Sequence, residues 1–219
     1  MNGILFFVIF LVCVFFILGV ALRLFAKDAA FTIAIGAVIG SNIYNCSAYP
    51  IEIGGLVFGI DSIVYTIFAF CLLFMHIFYG KKDMKVVLYT SMFSIFFTAF
   101  LFFMGNISQS GYTDGIMLNF LSYLSSILAT YLAVFAMVWV YEKLRSKNIN
   151  IFLCIFVSLL VVSLVNSAVY FGLSVACGAF TPTNFLISLA GSYIGKLIAS
   201  ACCLVIFAFH YYNKDKKLG

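Results

Sequence analysis

Apolar residues run along this chain in stretches of about twenty or more, separated by short polar or charged connections. About twenty such residues let an α-helix cross the hydrocarbon core of a bilayer. At that length the pattern predicts seven helices, over roughly 3–26, 29–50, 56–79, 85–105, 116–141, 149–175 and 184–211. Short connections make successive helices antiparallel neighbours. The expected fold is therefore an all-α, polytopic membrane helix bundle of seven transmembrane helices, with no extramembrane domain. The first run lacks a basic leading segment and a small-residue cleavage site, so it reads as a retained helix rather than a signal peptide. Residues 1–28 then form an additional N-terminal span, 29–213 a six-helix bundle, and 214–219 a short basic tail.

Composition agrees with the pattern. Only 9% of residues are charged and 65% are hydrophobic, whereas a soluble domain carries about 25% charged residues. The mean hydropathy is +1.20. Phe is abundant (27) and Pro scarce (2), which suits long uninterrupted helices. The seven Cys are spread along apolar segments, where Cys acts as a small hydrophobe. No CxxC and no Cys/His spacing suited to a metal appears, so neither metal nor cofactor is expected.

Charge fixes the expected orientation. Arg23 and Lys27 follow the first helix; Lys81, Lys82 and Lys85 the third; Lys143, Arg145 and Lys147 the fifth; Lys214, Lys216 and Lys217 the seventh. The alternate connections, 46–55, 106–115 and 176–183, hold no Lys or Arg. The positive-inside rule makes the basic side cytoplasmic, with the N-terminus outside. These flanking clusters also account for the net charge of +5 without nucleic acid as a partner.

One basic residue breaks the rule. Lys196 lies well inside the last apolar run, where an unpaired Lys costs roughly 2.5 kcal/mol or more. At helical spacing Ser192, Lys196 and Ser200 form one stripe, and Gly191, Gly195 and Ala199 the next. Small residues permit close helix approach, and hydroxyls offer hydrogen bonds. In the sixth helix Ser163, Asn166, Ser167, Tyr170 and Ser174 form a second polar stripe. The connection between these helices centres near residue 180, with Asn166 14 residues before it and Lys196 16 after it. An antiparallel pair would bring Asn166 and Lys196 to one depth, near the midplane, where transporters place their substrates. Ser41, Asn42 and Asn45 of the second helix would line the outer part of such a site. Tyr170 and Tyr193 would stack on a flat ring. Glu52 and Asp61 flank the outer start of the third helix, and His76 its cytoplasmic end.

At this point the chain resembles the queuosine precursor transporter, or vitamin uptake transporter, family. The similar features are Ser41-Asn42 in an early helix, Tyr79-Gly80-Lys81-Lys82 ending the next, and Leu144-Arg145 after a later one. The stripe ending Asn166-Ser167-Ala168-Val169-Tyr170-Phe171 and Lys196-Leu197 in the last helix complete the set. The family has six helices, so residues 1–26 would be an addition. The resemblance implies a carrier for small purine-like bases, typically deazaguanine precursors of queuosine, in a bacterial cytoplasmic membrane. The chain departs from the family pattern where the family carries acidic or polar residues. It has Leu73, Ile77, Val134 and Met137 at such places, and Asn166 in place of Asp.

The expected function is thus import of a small planar base or vitamin-like solute, with the lipid bilayer and that solute as partners. Small-residue helix faces leave room for a second copy of the chain or an energising partner subunit, as in a multi-component vitamin importer. A retinal-binding protein with Lys196 as Schiff base would suit seven helices. It would need a carboxylate counter-ion, and position 192, one turn before Lys196, is Ser. An intramembrane enzyme is disfavoured by the absence of HExxH, GxSxG or a Ser–His pair at depth.

Overall fold

The computed structural model describes residues 3–46, 51–53, 56–58, 60–110, 114–178 and 185–218. Among them lie six helices long and apolar enough to cross a membrane. In chain order these are α1 (Gly3–Cys46), α2 (Ile60–Tyr79), α3 (Lys81–Ser110), α4 (Asp114–Ser146), α5 (Ile151–Ala176) and α6 (Phe185–Leu218). Two short strands, β1 (Ile51–Ile53) and β2 (Leu56–Phe58), stand between α1 and α2. The helical bundle expected from the apolar pattern is what forms.

The first two predicted spans meet without a loop. They run as one helical element, α1, interrupted at Ala26, whose backbone (φ 42, ψ −100) is not helical. A straight helix of 44 residues would reach about 66 Å, about twice the thickness of a bilayer core. Both arms bury a stripe at helical spacing: Phe15, Leu18 and Leu22 before the break, and Ala29, Ala30, Ala34 and Val38 after it. The first arm rests against α6, since a Cβ built on Gly19 would lie 3.8 Å from Ile206 Cγ1.

The third predicted span needs a correction. Residues 56–58 are not helical but pair with β1 in an antiparallel hairpin, Ile51 opposite Phe58 and Ile53 opposite Leu56. Ile51-Glu52-Ile53 and Leu56-Val57-Phe58 on either side of Gly54-Gly55 are a hairpin pattern, which three-residue strands are too short to reveal by periodicity. α2 consequently begins at Ile60, with β2 beside α6 and β1 beside α1.

α2 is the axis of the bundle. Every residue from Tyr65 to Met75 is buried, as befits a helix apolar all round. It packs against α1, α3, α5 and α6. At its end Gly80 (φ 93) donates its N–H to the carbonyls of Met75 (3.1 Å) and His76 (3.2 Å). A left-handed glycine closes the helix, and α3 starts at the next residue. The α4–α5 turn is equally tight. Asn148 takes a left-handed φ of 57, and the Asn150 side chain caps α5 by accepting from the Phe152 N–H at 2.9 Å.

These turns gather at one end of the bundle, and the basic residues gather with them. Lys27 Nζ lies 3.0 Å from Asp83 Oδ2, and Lys81 Nζ lies 3.1 Å from Glu142 Oε1. Beneath them the rings of Phe74, Phe78, Phe207 and His210 pack at centroid distances of 4.7–5.5 Å, tying α2 to α6.

Candidate functional site

Towards the opposite end of α2 the packing turns polar. Helical spacing brings Gly191, Ser192, Gly195, Lys196, Ala199 and Ser200 of α6 onto one buried face. Both predicted stripes therefore point inward. Against this face lie Ser163, Asn166 and Ser167 of α5 and Ser62, Tyr65 and Thr66 of α2, all buried.

Lys196 is 4% exposed and Asn166 8%. The ammonium donates to Asn166 Oδ1 at 3.0 Å and to Ser167 Oγ at 2.6 Å. It also sits over the Tyr65 ring, 5.0 Å from the centroid, where the negative face of the ring attracts a cation. Two acceptors and one π-face satisfy its three N–H groups. Among the described residues no carboxylate oxygen lies within 4.0 Å of it. Asp61, in the first turn of α2, is the charged group whose field reaches it.

Around this centre the hydroxyls are tied down. Ser62 Oγ and Ser192 Oγ are 2.8 Å apart and join α2 to α6 one turn away from Lys196, on the side remote from the basic end. Ser200 donates to the Lys196 carbonyl at 2.7 Å, Ser163 to that of Leu159 at 2.7 Å, and Thr66 to that of Ser62 at 2.9 Å. The Tyr65 hydroxyl faces Thr130 of α4 without a well-formed hydrogen bond.

Of the residues singled out from the sequence, Lys196, Asn166 and Ser192 come together here. Ser41 is buried but gives its hydroxyl to its own helix, at 2.9 Å from the Val38 carbonyl. Tyr170 points to α4, its hydroxyl 3.1 Å from Ser122 Oγ and its ring edge-on to Phe171. Tyr193 is half-buried. The side chains of Asn42 and Asn45 lie outside the described residues. His76 is at the basic end, with Nε2 3.6 Å from Glu142 Oε1, far along α2 from the cluster.

Sequence reasoning passed over Ser62 and Tyr65, and it saw Ser167 only as part of a stripe. A signal was present: Asp61, Ser62, Tyr65 and Thr66 fall on one side of α2 at helical spacing. It is faint because Asp61 flanks the outer start of the predicted helix, where an acidic residue needs no buried partner.

Comparison with protein-family models, with curated proteins and with solved structures finds no match to this chain.

Proposed function

We propose that this chain is a membrane transporter that imports a small planar base or vitamin-like solute, and that a deazaguanine precursor of queuosine is the first substrate to test. The observation that carries the reading is the buried Lys196–Asn166–Ser167 cluster between α5 and α6. A bundle held only by packing has no need of it, since apolar replacement of buried ionic groups is often neutral or stabilising. An ionisable group kept inside a membrane bundle is by default a functional one. The queuosine assignment itself is supported by the sequence resemblance alone.

The basic clusters support a topology of seven crossings, with the two arms of α1 each crossing once, the N-terminus outside and the C-terminus in the cytoplasm of a bacterium. Each arm has about twenty residues, about 30 Å of helix, the thickness of a bilayer core. In this scheme the solute meets Lys196 from one side and leaves by the other. The Ser62–Ser192 contact closes the outer side, and the β1–β2 hairpin stands above it.

The test is uptake in a bacterium unable to make queuosine precursors, with this chain as its only candidate carrier. Deazaguanine bases are supplied outside and queuosine is read in transfer RNA. Queuosine that appears with the parent and disappears with Lys196→Ala and Asn166→Ala variants of equal membrane abundance supports the assignment. No queuosine from an abundant parent sinks the queuosine reading.

A further inference from the structure

We propose that the Lys196 cluster receives a carboxylate, so that the small planar solute is recognised as a monoanion. This rests on the transport reading of the same site, but not on the deazaguanine assignment.

The inference comes from counting donors. An ammonium can only donate, so the atom of Asn166 that faces Lys196 must be its carbonyl oxygen, as found at 3.0 Å. That choice fixes the amide flip, which coordinates alone leave open. One lone pair of the Asn166 oxygen is thus taken by Lys196. Its NH₂ group, with two donors, donates to none of the described residues. Ser167 likewise accepts from Lys196 at 2.6 Å and keeps its own hydroxyl proton to give elsewhere. The protons left to meet a ligand are those of the Asn166 amide and the Ser167 hydroxyl, beside an ammonium whose third N–H faces only the Tyr65 ring and turns readily to a stronger acceptor. An Asp at position 166 would have offered a spare acceptor and cancelled the charge. The Asn leaves the charge standing and adds two donors.

Such a set fits a group that only accepts. A carboxylate has two oxygens and about four lone-pair sites, and its hydrogen bonds to an ammonium are roughly twice as strong as neutral ones. It also supplies the partner this lysine lacks. Buried ammonium groups pair with carboxylates, yet among the described residues Lys196 has only neutral acceptors and a ring face within contact. The charge fits one carboxylate and not a phosphate. A single Lys balances a monoanion, whereas a phosphate monoester carries ≈ −1.5 to −2 at pH 7. Asp61 lies near enough to oppose the excess.

Three probes of one shape separate the alternatives. Benzoate offers only acceptors, benzamide both kinds, and benzamidine only donors with a positive charge. Full-length protein in detergent is heated in the presence of each. Unfolding is followed by a thiol-reactive dye, for which the buried Cys71, Cys154 and Cys203 are the reporters. Benzoate should raise the melting temperature saturably, with a Kd at least about tenfold below those of benzamide and benzamidine, the ratio that one charge-assisted hydrogen bond supports. Asn166→Asp pairs the ammonium internally, so it should fold at least as well as the parent and lose the benzoate response. Asp61→Asn removes the competing carboxylate and should keep or strengthen it. The proposal is overturned if benzamidine binds as well as benzoate. It is equally overturned if benzoate up to about 10 mM, beyond the weakest specific affinities, leaves the parent unchanged, or if Asn166→Asp responds like the parent. Benzoate binding without benzoate uptake into proteoliposomes sinks the transport reading and leaves this one standing. Uptake of a deazaguanine base without benzoate binding does the reverse.

Discussion

Removing Asn166 should harm the protein more than removing the charge it serves. Lys196 makes two hydrogen bonds inside the bundle, to Asn166 and Ser167, and a bond to a charged group is worth about 1.5–3 kcal/mol. Asn166→Leu keeps the branched shape but leaves a buried ammonium one acceptor short, at a cost of about 2–3 kcal/mol. Lys196→Met keeps most of the stem and removes both the charge and its desolvation. It leaves neutral acceptors unpaired and takes the opposing charge from Asp61, but strands no cation, so it should cost about 1–2 kcal/mol, less than the loss of Asn166. The double variant has no stranded ammonium and should sit close to Lys196→Met alone. The coupling is then about 2 kcal/mol, above the roughly 0.5 kcal/mol within which independent sites add. It also exceeds the maximum of about 1.7 kcal/mol measured for neutral hydrogen bonds between membrane helices. Reversible unfolding in mixed micelles with increasing SDS measures all four proteins. If Lys196→Met is the more damaging single change, or if the two effects simply add, the ammonium does not depend on Asn166 and the reasoning fails.

Two further outcomes are expected. A single-cysteine reporter at position 2 in a background without other cysteines should react with a membrane-impermeant maleimide in intact cells, and one at position 217 only after permeabilisation. Equal access at both ends would rule out an odd number of crossings. Ala26→Gly should stabilise the protein by about 1 kcal/mol, because Ala26 holds a φ of 42 and a ψ of −100 that glycine adopts at little cost; a loss in the same SDS titration would show that the Cβ is needed there.

The pairing of Lys196 with Asn166 was legible because two elementary facts suffice for it. Helical periodicity sets the face, and a short connection sets the depth at which two antiparallel helices face each other. The α2 contribution was not legible by the same means. Along the stretch of α2 that is buried on all sides, burial does not say which face meets which neighbour, and the polar side is marked only by Asp61, Ser62 and Thr66 in its first turns, so Tyr65 looked like any other aromatic core residue. The start of α2 was displaced by a hairpin whose strands have three residues each, too few to separate period two from period 3.6. Ser41 and Tyr170 mark another limit. Their positions within a helix were read correctly, but a hydroxyl turns to its own backbone or to a neighbouring helix on grounds of local geometry that spacing does not contain. The tight turns at Gly80 and Asn148 were open to inspection as residue types, yet the absence of any loop at Ala26 was not, since alanine carries no turn signal.

The order in which the cluster's parts leave the ribosome has its own consequence. Lys196 lies on the last helix, and its acceptors Asn166 and Ser167 and its ring partner Tyr65 belong to helices made earlier. When α6 reaches the membrane, every group that solvates its ammonium is already there, and α5 stands one short connection away. A segment that would be rejected alone can therefore enter as the second half of a helical hairpin. A chain stopped before α6 leaves only neutral polar groups unpaired, whereas α6 without α5 carries a naked charge into lipid. Any rearranged or split version of this protein would thus tolerate a cut in the α3–α4 connection far better than one between α5 and α6.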